Sequence, residues 1–188
     1  MDPSDAPHLL RYLLRQDAVE TRAWLTRAWA GAEIVPEDFN WLGLAEAATF
    51  TAQEGNDLMW AQVAVAVYDH LASGSAMGNG SGYANSAMHL RAVMIRRFGP
   101  CDGDPVLDVH RLVQWIRDSL TLPSHEAVRR ATAWRDADME EQLRRIDDVR
   151  QLRAIKNRLA VLELVAAPGP FHPPADVQLW LDVRHLLP

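Results

Sequence analysis

Residues 42–72, LGLAEAATFTAQEGNDLMWAQVAVAVYDHLA, decide the fold. Alanines at 45, 47, 48 and 52 give one helix a small-residue face that permits close approach. Gly55 stops that helix, and Asn56-Asp57 leads at once into a second helical run from about Leu58 to Ala72. There Ala61, Ala64, Val65, Tyr68 and Leu71 recur at helical spacing and face inward. The two runs read as an αα-hairpin. Its longest apolar stretch, AQVAVAVY, falls far short of the roughly 20 residues that cross a bilayer, and no membrane association is expected.

Upstream, Leu9, Leu10, Leu13 and Leu14 share a helical face behind a cap at Ser4 or Asp5. Asp17 with Glu20 resembles a capping box for a further stretch ending near Gly31, as two helices or one bent one. Pro36, Glu37 and Asp38 have the character of the first turn of the alanine-rich helix.

Downstream, SGSAMGNGSG at 73–82 packs four glycines and three serines into ten residues and predicts a loop. A helix follows it, with Tyr83, Ala87, Leu90, Met94 and Ile95 apolar, closed by Gly99-Pro100. Asp104 and Pro105 predict the start of another, through Leu120, completing a second hairpin. From Ser124 to Pro168 a helical pattern runs without proline or glycine, as one long helix or as two divided near Asp136–Asp138. Its stripe of Leu143, Ile146, Val149, Leu152, Ile155, Leu159 and Leu162 is apolar. Its other faces interleave nine basic with eight acidic residues over 125–166, the pattern of a salt-bridged exposed surface. AAPGPFHPPAD then breaks the helix, and a short terminal helix carries Val177, Trp180, Leu181, Val183 and Leu187 for docking.

The expected fold is therefore all-α: antiparallel helical hairpins over 1–122, a long charged helix or helix pair over 123–167, and a proline-rich linker with a docked helix over 168–188. These are read as one structural unit. With 48% hydrophobic residues in 188, the chain can bury a proper core. Cys101 is its single cysteine, which excludes an internal disulfide and a thiolate cage and predicts a reducing, cytoplasmic setting. The opening MDPSDAPHLL has no basic n-region, so a signal peptide is not expected. Eighteen of nineteen basic residues are arginine, a bias of the kind a GC-rich genome imposes. Net charge is −6, and residues 1–60 hold ten acids against four arginines, the reverse of a nucleic-acid footprint.

The middle of the chain resembles a tetratricopeptide-like helical repeat over about 37–120. The carriers are LGLAEAATFTAQEGND with Ala61, Ala64 and Tyr68, and a second unit from Tyr83 to Gly99, with 44 residues between Gly55 and Gly99. The resemblance implies a right-handed stack of hairpins whose concave face binds a peptide or partner domain. A compact helical bundle is the alternative.

No motif demands a particular chemistry. The 73–82 loop running into Tyr83 and Asn85 offers backbone N–H groups at a helix start, so Tyr68, Gly80, Gly82, Tyr83 and Asn85 are candidate ligand contacts. No Gly-Lys-Ser/Thr follows, and a plain connection accounts for the same composition. His70 and His89 flank the loop, with Asp69 and Arg91 nearby, giving the elements of a base, an orienter and an anion-binding guanidinium. Ordinary roles also fit them, since a histidine near a helix C-terminus complements the dipole. Asp108 and His110, two apart on a helix, point about 200° away from each other and do not share a metal easily. No metal or other cofactor is expected.

Seven tryptophans spread through the helical segments read mostly as core anchors. Trp134 with Arg130 and Arg135 is the exposed exception, and with Arg145 and Arg153 it marks a candidate partner-binding face. The leading expectation is a non-catalytic protein-interaction module, an adaptor or regulatory subunit of a bacterial-type system, binding another protein or peptide or self-associating through the long helix. One alternative is a small-molecule or anion-binding enzyme built on the loop and its histidines. Another is an immunity-type inhibitor whose acidic N-terminal third covers a basic partner.

Overall fold

The computed structural model describes residues 6–74, 80–119, 146–166, 172–175, 177, 178 and 181. Among them the fold is all-α, with seven helices and no strand. The helices are α1 (Ala6–Leu13), α2 (Ala18–Trp29), α3 (Trp41–Gly55), α4 (Leu58–Gly74), α5 (Gly80–Phe98), α6 (Val109–Ser119) and α7 (Ile146–Ala166). No described helix is long and apolar enough to cross a membrane.

The chain divides into two compact units. One comprises residues 1–99 and 103–107, the other residues 100–102 and 108–188. The boundary expected at 122 therefore moves upstream. Its cause is the apolar face of α6, where Val109, Leu112, Val113 and Ile116 are buried and the helix packs on α7. Within the first unit α5 packs along α4.

In the first unit α4 is the central helix, packed by α2, α3 and α5. That position explains its composition. Trp60, Ala61, Val63, Ala64, Val65, Val67 and Tyr68 are all buried, so a helix apolar on nearly every side is satisfied by neighbours on several sides. Three β-branched valines lower its intrinsic helicity, and burial at about 1.5–3 kcal/mol per side chain outweighs that cost. Ala45, Ala48 and Ala52 of α3 have no exposed surface, as the small-residue face predicts.

The helix ends follow local chemistry. Asp17 Oδ1 accepts the Glu20 N–H at 2.8 Å, which separates α2 from α1 as a distinct helix. The expected start of α3 at Pro36–Asp38 is corrected: those residues form a turn, and Asn40 is the cap, its Oδ1 accepting the Gly43 N–H at 2.8 Å. Asn56 closes α3 in the left-handed region at φ 55°, and Asp57 Oδ1 accepts the N–H groups of Met59 and Trp60 to start α4. The expected helix start at Asp104-Pro105 is likewise a turn, held by Asp104 Oδ1 on the Val106 and Leu107 N–H groups. Asp108 then accepts from the His110 N–H as α6 begins.

Part of the 73–82 segment expected as a loop is helical. Ser73 and Gly74 complete α4, and Gly80–Gly82 form the first turn of α5. Glycine costs about 1 kcal/mol in a helix, and the buried faces next to it, Val65 and Tyr68 on one side and Ala87 and Leu90 on the other, offset that cost. Residues 75–79 lie outside the described residues. So do the suggested break at Asp136–Asp138 and most of the long helix before Ile146. Within α7, Ile155, Leu159 and Leu162 are buried as the stripe predicts. Val177 and Leu181 beyond it are buried too.

Candidate functional site

Two polar connections fix the first unit around α4. Arg91 of α5 is 1% exposed, and its guanidinium meets the Asp69 carboxylate of α4 with Nη2 to Oδ2 at 2.6 Å and Nη1 to Oδ1 at 3.3 Å. Its Nε donates to the Pro105 carbonyl at 3.0 Å. Gln62 of α4 accepts from Arg22 of α2 and donates to Asp104 Oδ2 at 3.3 Å. The 103–107 turn is thus tied to α4 and α5 by side chains that would otherwise be buried without partners.

A surface cavity of about 330 Å³ lies between α3, α4 and α5. Thr49 and Gln53 of α3, Tyr68 of α4, and Asn85, Ser86, His89 and Leu90 of α5 line it. Helical spacing gathers these side chains: Thr49 and Gln53 are four apart, as are Asn85 and His89, and Ser86 and Leu90. Beside Thr49 and Gln53, Glu46 and Phe50 share the same face of α3 at three- and four-residue intervals. Phe50 is 67% exposed there. An aromatic side chain so exposed, three residues before the lining residue Gln53, departs from the usual burial of phenylalanine.

Most of the lining surface is apolar, contributed by Leu90 and the carbon atoms of its neighbours, and its polar groups are uncharged apart from the titratable imidazole. The Thr49 hydroxyl donates to the Ala45 carbonyl at 2.8 Å and the Ser86 hydroxyl to that of Gly82 at 3.2 Å, so both retain acceptor capacity only. The side chains of Gln53, Tyr68, Asn85 and His89 have no hydrogen-bond partner among the described residues. Tyr68 stands out because the residue is 6% exposed while its hydroxyl is not sealed from solvent. No carboxylate, thiol or amine is among the seven lining residues, so His89 has no orienting acid there.

The sequence candidates separate in space. Tyr68, Asn85 and His89 meet in the cavity. His70 does not join them. Its ring stacks on Trp29 at 4.8 Å and 20°, with Trp41 at 5.5 Å, in an aromatic cluster that also contains Trp24 and Phe39. Tyr68 and His70 are two residues apart on α4 and so lie on opposing faces. Trp24 and Trp29, five apart in α2, converge through Trp41, at 6.1 Å from each ring. Arg91, the candidate anion-binding cation, is committed to Asp69 and Pro105 and does not line the cavity. Gly80 and Gly82 are helical, and Tyr83 is half-buried outside the lining set.

Of the candidate partner face, Arg130, Trp134, Arg135 and Arg145 lie outside the described residues. Arg153 belongs to α7, and its side chain is not among those described. A neighbour on α7, Arg158, places its guanidinium carbon 5.5 Å from the Trp115 ring centroid of α6, and burial pushes its pKa below the ordinary arginine value. Asp102 Oδ1 lies 3.6 Å from His110 Nε2, both side chains being exposed. No group of three histidine, cysteine, aspartate or glutamate side chains able to hold a metal occurs among the described residues.

The sequence reading missed Thr49, Gln53, Ser86, Leu90 and the exposed Phe50 beside them on α3. The available signal was polar Thr49 and Gln53 at i, i+4 beside the alanines of a packing face, with a phenylalanine between them. No family model matches the chain, and neither curated proteins nor solved structures give a match.

Proposed function

We propose that this chain is a non-catalytic helical interaction module, an adaptor or regulatory subunit, that receives a segment of another protein in the cavity between α3, α4 and α5. One observation carries the reading: a concave site of about 330 Å³ presents unpaired hydrogen-bonding groups on a largely apolar wall, without an acid–base pair for catalysis. The volume falls at the lower end of ligand sites, suited to a short stretch of chain. A tetratricopeptide-like arrangement belongs to the same proposal, with α3 and α5 as the helices flanking the groove and α4 behind them. The single cysteine and arginine-rich composition support a cytoplasmic, bacterial-type setting.

The enzyme alternative lacks comparable support. Its histidine pair is divided between the cavity and the Trp29–Trp41 cluster, and its cation is used by Asp69. The test is site-directed photocrosslinking in the native host, with the photoreactive residue at position 50 or, one residue on and on another face, at the exposed Thr51. A specific protein adduct is expected from position 50 and not from 51. Adducts that form equally from both, or from neither while the same partner co-purifies, would place recognition elsewhere.

A further inference from the structure

We infer that the cavity reads the backbone amides of an extended, locally uncharged peptide segment, with Gln53 and Asn85 as the amide-pairing side chains and the Tyr68 hydroxyl as a further contact. This deepens the partner-binding reading and rests on it.

The lining sets the chemistry of the occupant. Gln53 and Asn85 are carboxamides, each with a carbonyl acceptor and two N–H donors, and neither side chain has a partner among the described residues. A group that donates and accepts side by side is the natural complement, and a peptide unit is such a group. Tyr68 adds a second, independent observation: a residue more than nine-tenths buried whose hydroxyl remains unpartnered and open to the cavity. A hydroxyl that an otherwise buried residue presents to the cavity without a protein partner is satisfied by water or by a ligand, and a bound amide carbonyl supplies the acceptor it lacks.

The same lining argues against charged occupants. An ammonium stripped of water would meet no opposite charge among the seven residues, and a carboxylate would meet only the imidazole of His89. Glu46, on the face of α3 that carries Thr49 and Phe50, further disfavours acidic segments. A helical segment satisfies its own backbone groups and leaves none for Gln53 and Asn85, whereas an extended one presents them unpaired. Phe50, exposed on the same face of α3, then covers an apolar side chain of the segment where it leaves the cavity.

The test pans random heptapeptides, blocked at both ends, against the full chain and measures affinity by fluorescence anisotropy. Selected peptides should be uncharged at their central positions. Replacing the central amide by an ester should weaken binding roughly three- to tenfold, the range of one hydrogen bond. Tyr68→Phe, which removes one oxygen and keeps the ring, should give a loss of similar size, as should Gln53→Leu and Asn85→Leu at unchanged helicity by circular dichroism. Selection of centrally charged peptides, equal affinity for amide and ester, or indifference to all three substitutions would overturn the inference. If position 50 crosslinks a partner that no selected peptide displaces, the amide inference fails and partner binding stands. Absence of both a crosslink and a selected peptide removes both.

Discussion

Arg91 and Asp69 form a two-pronged ion pair between α5 and α4 in which the guanidinium is sealed, at 1% exposure, and the carboxylate is nearly half exposed, at 44%. The pair neutralises a buried charge between two helices that also wall the cavity. It also carries an asymmetry. Loss of the carboxylate strands a buried cation, while loss of the cation leaves a carboxylate that water can reach.

Asp69→Ala is therefore expected to lower unfolding free energy by about 2–3 kcal/mol, below the 3–5 typical of a fully buried pair because solvent partly screens this one. Replacing both partners, as in Asp69→Leu with Arg91→Met, should recover part of that loss. Urea denaturation of the three proteins measures it. Equal stability of Asp69→Ala and the parent would contradict the assigned role.

Asn40 and Gly43 are coupled through the cap of α3. A Cβ on residue 43 would lie 2.5 Å from Asn40 Nδ2, so Gly43→Ala displaces the capping side chain. The loss of the cap, about 1 kcal/mol, should cancel the gain in helix propensity. In an Asn40→Ala background the same substitution should instead stabilise, by up to about 1 kcal/mol. A thermodynamic cycle over the four proteins reads the coupling, and strict additivity would refute it.

Gly74 and Gly82 stand in helical conformation with open space where a Cβ would go. Alanine at either position should raise stability by about 0.5–1 kcal/mol through the unfolded chain's lost freedom. Binding of a selected peptide should be unchanged by Gly82→Ala, because residue 82 does not line the cavity. A loss of affinity without a loss of stability would return the glycine segment to the site.

The two histidines should separate functionally as they do in space. His89→Ala should weaken peptide binding, while His70→Ala should leave it intact and lower stability by about 0.5–1.5 kcal/mol through the lost stacking on Trp29. Anisotropy titrations beside thermal melts distinguish the two outcomes. A reversed pattern would relocate the site to the aromatic cluster.

These particulars also show what the sequence made legible. The helices were readable because Asn56, Asp57 and Gly99 mark ends by local chemistry, and because Ala45, Ala48 and Ala52 recur on one face. Their partners were harder to read. α4 is apolar on nearly all sides, so periodicity does not say which neighbour takes which face, and the apolar stripe of α6 does not reveal that it meets α7. The caps at Asn40 and Asp108 lost out to the stronger proline signals at Pro36 and Pro105. Tyr68, Asn85 and His89 were legible as polar residues next to the glycine segment. Gln53 and Phe50 were not, because their role depends on α3 and α5 meeting across α4, a relation no local spacing encodes.

Partner binding in the cavity requires that its carboxamides engage the bound segment. Side-chain amide resonances of Gln53, Asn85 and Gln62, followed by NMR during titration with a panned peptide, test this most directly. Gln62 is the internal control, since it is already engaged by Arg22 and Asp104. The account predicts that the Gln53 and Asn85 signals shift together to saturation while that of Gln62 stays in place. Saturable binding that leaves Gln53 and Asn85 unmoved would contradict it.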